Sequence, residues 1–89
     1  MRKLMDHHRR VLVELDEHTQ PDGELCCHFK PLARWCEMEI REVRRITRHL
    51  ARKGLAEYHR ALFTEDGYLA GAGYCITPAG RAKLAEERG

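Results

Sequence analysis

With 89 residues, 43% apolar and 34% charged, and a net charge of only +2, the chain has the size and balance of one small folded domain and is not polybasic as a whole. No run is long and apolar enough to span a bilayer and no signal peptide precedes the first helix, so a cytoplasmic protein is expected, with its four cysteines reduced. Cys26 and Cys27 are adjacent, where a bridge would be strained, and no C-x-x-C pair occurs.

Arg2 to His18 reads as the first helix. Leu4, Met5, His8, Val11, Leu12 and Leu15 form its apolar stripe, and Asp6, Arg9, Arg10, Glu14, Asp16 and Glu17 its outer face. The pair His7-His8 lacks the spacing of a helical metal motif. Thr19 to Glu24 is a turn, since Pro21, Asp22 and Gly23 supply a fixed φ, a local side-chain hydrogen bond and a permissive backbone. Leu25 to Phe29 is a short apolar run read as a strand. Cys26, Cys27, His28 and Cys36 have zinc-ligand chemistry but no common zinc spacing, so no metal is expected and the cysteines are read as small packing residues.

Lys30 to Cys36 is a short helix with Pro31 in its first turn, where a missing N–H is harmless. Leu32, Ala33 and Cys36 share a face, and Trp35 is read as a plug between helices. A tight connection at Glu37-Met38 leads into Met38 to Leu55, around which the chain is organised. Ile40, Val43, Ile46 and Leu50 recur at three and four, a stripe that needs a core. Arg41, Arg45, Arg48 and Arg52 recur at the same spacing on another side, with Arg44 beside them. Glu37, Glu39 and Glu42 are available to pair with this row. Gly54 is the stop, and Arg52 and Lys53 suit the negative end of the helix dipole.

After Gly54 the period changes. Leu55 to Phe63 and Tyr68 to Thr77 read as paired strands around an Asp-Gly hairpin at residues 64–67. Gly71 and Gly73 suggest a bulge. Thr77 is a good N-cap and Pro78 a good first residue for a final helix, Pro78 to Arg88, with Ala79, Ala82, Leu84 and Ala85 as its expected contacts.

Two helices joined by so short a turn form a helix-turn-helix, whose second helix is the one presented to DNA. The segment LARWCEMEIREVRRITRHLARKGLAEYHR resembles the helix-turn-helix of small bacterial transcription regulators. Leu50 to Leu55 is similar to their junction between recognition helix and wing. Ile76-Thr77-Pro78-Ala79-Gly80-Arg81 is similar to the segment that follows the wing in MarR-like regulators. The resemblance implies a single α+β winged helix over residues 1–89: a three-helix core with helix-turn-helix, a two- to three-stranded β-wing and a short C-terminal helix. Glu37 stands where such motifs often carry glycine, which costs little if φ stays negative.

By the same resemblance, Arg41, Arg44, Arg45 and Arg48 would enter a major groove, where a guanidinium fork can reach guanine O6 and N7 or straddle a phosphate. Arg52 and Lys53 would meet the backbone, with His59 and Arg60 on the first wing strand adding to it. The expected function is therefore a small bacterial or phage transcription regulator that binds double-stranded DNA, pairs into a homodimer, and needs neither cofactor nor catalysis. The alternative is a winged-helix adaptor. It would use the acidic wing tip, Glu65 and Asp66, to hold a protein partner, with Glu39 and Glu42 neutralising the arginine row.

Overall fold

The computed structural model describes residues 4–18, 28–63 and 69–88, with backbone alone at 59–63 and 69–72. The order is α1 (Asp6–His18), α2 (Phe29–Cys36), α3 (Ile40–Arg52), β1 (Ala56–Phe63), β2 (Leu69–Ile76) and α4 (Pro78–Arg88). The core is filled by the stripes read from the sequence: Val11, Leu12 and Leu15 of α1, Leu32, Ala33 and Cys36 of α2, and Val43, Ile46 and Leu50 of α3. Ala56, Ile76 and Leu84 close it from the strands and α4. Each fully buried leucine, isoleucine or valine contributes roughly 1.5–3 kcal/mol, which is what holds three short helices together in so small a domain.

The chain departs from the sequence reading at several points. Helix α1 begins at Asp6, not Arg2. Leu4 and Met5 precede it, and the Leu4 N–H donates to Glu87 Oε1 of α4 at 3.2 Å. Arg9 reaches the same carboxylate at 3.5 Å. This attachment to α4 holds Leu4 outside the helical repeat, while Met5 is 69% exposed. Glu14, assigned to the outer face, is buried, because Arg10 and His18 on the adjacent turns cover it at 3.2 and 3.4 Å. Phe29 opens α2 instead of ending a strand; the rest of that strand reading, the turn at 19–24, Cys26 and Cys27 lie outside the described residues. Trp35 does lie between helices, its ring stacked on His18 of α1 at 3.5 Å.

In α3, Ile40 is exposed and Thr47 takes a buried place, because the burying face runs through Val43, Ile46, Thr47 and Leu50. In α4 the buried residues are Gly80, Lys83 and Leu84, and the three alanines expected to pack are exposed. A glycine at 80 brings the helix closer to the core than an alanine face would allow. Cys75 is disulfide-bonded, against the expectation of four reduced cysteines. That expectation rested on compartment, whereas pairing depends on which Cβ atoms the fold brings within reach. Cys36 is a thiol buried in the core.

The strands pair antiparallel in a two-stranded sheet, with Ala56 opposite Ile76, Glu57 opposite Cys75 and Tyr58 opposite Tyr74. Register slips between His59 and Leu62, facing Gly73 and Gly71, and again between Leu62 and Phe63. The irregularity expected at the glycines is therefore present. Residues 64–68, including the expected turn, lie outside the described residues.

The two ends of α3 are built differently. Before it, Glu37 adopts φ +56°, in the left-handed region, and not the negative φ expected. Its N–H donates to Arg34 O at 3.2 Å and the Met38 N–H to Ala33 O at 3.0 Å, so the last carbonyls of α2 are satisfied by a turn that needs this conformation. After α3, Gly54 adopts φ +78°, and the N–H groups of Gly54 and Leu55 cap Ala51 O and Leu50 O, each at 3.0 Å.

Candidate nucleic-acid interface

Helix α3 sorts its residues by side. Val43, Ile46, Thr47 and Leu50 are buried, while Arg41, Arg44, Arg45, Arg48 and Arg52 are all exposed. At about 100° per residue the five arginines fall within roughly a 100° arc on the side away from the core. Together they line one open depression. The row foreseen from the sequence is thus a single surface, presented by a helix whose other face is fixed by burial.

The guanidinium groups differ in their restraint. Arg45 pairs with Glu42 one turn earlier, and the bond to Arg45 holds the Glu42 carboxyl below its ordinary value. Arg44 lies over the Phe29 ring of α2, 5.5 Å from its centroid, a cation–π contact. Among the described residues Arg41, Arg48 and Arg52 have no ion-pair partner. Glu39, the other acid expected to neutralise the row, is the exposed N-cap residue of α3 and makes no ion pair among the described residues. Lys53 is exposed at the C-terminal end of the helix. Arg60 belongs to β1, and its side chain lies outside the described residues, as does that of His59.

Two flanks border the row, and neither was read from the sequence as part of it. On one side α1 brings His8 against His49, ring centroids 4.9 Å apart. His8 is held below the ordinary imidazole value, first by its partial burial and then by His49, Arg45 and Lys53, with Glu42 acting weakly the other way. Met5, Asp6, His7, His8 and Arg45 line an open depression there. On the other side stand aromatic rings. Tyr74 of β2 lies 5.5 Å from Phe29 and 5.2 Å from Tyr58, and it shares a third depression with Arg48, Ala51 and Arg52. Period-two alternation places Tyr74 on the sheet face of Ile76, which is the signal that could have found it.

The candidate metal cluster among the described residues is Glu14, Glu17 and His18 on α1. Glu14 there is already paired with Arg10 and His18. No described helix is long and apolar enough to cross a membrane.

Solved structures share this arrangement. A probable transcriptional regulator from Pseudomonas aeruginosa superposes with a TM-score of 0.72 at 23% identity, over 93% of this chain and 55% of that one. A protein taken to be DNA-binding from Ralstonia eutropha JMP134 does so with 0.71 at 20%, over 94% and 96%. A MarR family transcription regulator does so with 0.70 at 21%, over 96% and 50%. The fold is a winged helix-turn-helix. In this winged helix α2 and α3 are the helix-turn-helix, and β1 and β2 are the wing. The chain spans about half the length of the first and third of these neighbours. No protein-family model matches the sequence, and no curated protein matches it at a significant level.

Proposed function

We propose that the exposed arginine face of α3 binds double-stranded DNA and that the protein acts as a small transcription regulator without catalysis of its own. The observation that carries this reading is the depression formed by Arg41, Arg44, Arg45, Arg48 and Arg52, carried on a helix whose opposite face is anchored in the core. Two winged-helix neighbours described as transcription regulators and one described as DNA-binding support it.

In this reading Arg41 and Arg48, unpaired among the described residues, reach base edges or straddle phosphates in the major groove. Arg44 and Arg45 join them by leaving Phe29 and Glu42, exchanging one partner for another. Arg52, Lys53 and Arg60 meet the sugar-phosphate backbone, which supplies much of the affinity and makes it fall with salt. A domain this small gains reach as a homodimer on two half-sites about one helical turn apart. The adaptor reading needs an arginine row neutralised by its acids, and only Arg45 is so paired among the described residues.

The test is fluorescence anisotropy of a mixed-sequence duplex at several salt concentrations, with wild type beside Arg41→Ala, Arg48→Ala. We expect wild-type affinity to fall steeply with salt. In the double variant binding should be weaker, and its log–log salt slope shallower by about 2, one phosphate contact for each arginine lost. Folded wild-type protein that fails to bind at low salt would sink the reading and direct the search to a protein partner.

A further inference from the structure

We propose that Tyr74 is an uncharged phosphate contact of the same interface: its phenol donates a hydrogen bond to a DNA backbone phosphate seated between Arg48 and Arg52. This rests on the DNA reading above and extends it from the recognition helix to the wing. Three observations lead there. Tyr74 lines a depression with Arg48, Ala51 and Arg52, so the wing strand and the recognition helix form one concavity with two guanidinium groups on its wall. Ala51 is the small residue in the same lining, leaving room that a longer side chain would fill.

The third observation is that the Tyr74 ring contacts two other rings. Phe29 lies 5.5 Å away with its plane inclined by 31°, and Tyr58, its cross-strand partner, lies 5.2 Å away inclined by 56°. A half-buried ring packed in this way loses little further freedom when its polar end takes a ligand. The chemistry of the occupant follows from the lining. Two guanidinium groups select an anion, and a phenol is a neutral donor that adds direction without adding charge. A backbone phosphate meets these requirements, whereas a base edge is not an anion. Phe29 also carries Arg44 on its ring, so the aromatic set joins α2, α3 and the wing under one surface.

Tyr74→Phe keeps the ring and its packing and removes only the donor. In the anisotropy titration we expect its Kd to rise about ten- to a hundredfold, the range of one hydrogen bond to a charged partner. The loss should be equal on duplexes of different sequence, and the salt slope should be unchanged, since a phenol displaces no counterion. Arg48→Ala, in contrast, should lower that slope. A duplex series with single methylphosphonate substitutions should contain one position at which Tyr74→Phe no longer costs affinity. Wild-type affinity in Tyr74→Phe would overturn the proposal, and so would a loss confined to particular sequences, which would mean a base contact. If wild type itself does not bind DNA, the interface reading fails as a whole, and that outcome is read separately from the variant.

Discussion

Helix α3 enters through a turn that is conformationally expensive and leaves through one that is tightly knitted. At the entrance Glu37 sits at φ +56° without the permissive backbone of glycine, which costs roughly 1 kcal/mol. At the exit a glycine occupies the corresponding position, and the neighbouring strand and helix are tied to it. The Thr77 hydroxyl donates to Gly54 O at 2.7 Å and accepts from the Gly80 N–H at 3.0 Å, while the Thr77 N–H donates to Leu55 O at 3.1 Å. One threonine thus caps α4 and pins the start of the wing. The contrast teaches that α3, whose inner face is fixed by burial along its length, is tied by hydrogen bonds to the wing and α4 at its C-terminal end and meets a strained turn at its N-terminal end.

The strongest way to break this contrast is at Gly80. A Cβ built there would lie 2.3 Å from Leu55 O and 2.7 Å from Ile76 Cγ1, and the first of these is backbone that cannot swing aside. Gly80→Ala gains helix propensity of about 1 kcal/mol, but forcing the backbones apart costs more. We expect a net loss of about 2 kcal/mol and a melting temperature lower by roughly 10 °C in a thermal scan. Melting at or above wild type would show that the exit is looser than its packing implies.

The opposite substitution sharpens the entrance. Glu37→Gly relieves the left-handed strain but also frees the unfolded chain, so the net gain should be small, about 0.5 kcal/mol or a few degrees in melting temperature. Glu37→Gln keeps the side-chain length, the strain and the backbone while removing the charge, and should melt like wild type. If glutamine stabilises as much as glycine, the strain account is wrong and charge was responsible.

These two positions show what the sequence could and could not carry. The helical stripes of α1, α2 and α3 and the bounds of α4 were legible because burial imposes a period that a single chain displays: Val43, Ile46 and Leu50 announce their own core. The arginine row was legible for the same reason. Glu37 was misread because φ is set by the turn's hydrogen bonds and not by the residue's preference, and the usual glycine signal was absent. Gly80 was recognised only within a phrase. Its reason, the approach of Leu55, is a contact between distant segments that no local pattern encodes. The same holds for His8, which reaches the row across the fold, whereas strand alternation could have placed Tyr74; the disulfide of Cys75 contradicts an argument made from compartment.

A further expected effect, on pH dependence, runs along the whole of α3. His8 of α1 feels Glu42 in the first turn of α3, Arg45 and His49 along it, and Lys53 at its end, with Asp6 and His7 beside it on α1. Burial and these cations hold its pKa below the ordinary imidazole value of about 6.5. The sign follows from linkage. Between that ordinary value and the lower folded one, the unfolded chain binds more protons, so the free protein loses stability as pH falls through this window. In the proposed complex, phosphates beside Arg45 and Lys53 would offset those cations and favour the imidazolium. Affinity should then rise as pH falls through the ordinary imidazole range, by no more than about tenfold for each unit by which DNA raises the pKa. His8→Gln should flatten that rise while leaving affinity above that range within about twofold, since a neutral imidazole and an amide carry the same charge. Superimposable pH profiles for the two proteins would mean that His8 packs against the row without taking part in it, and that the histidine side of α3 is scaffold while the arginines alone meet the DNA.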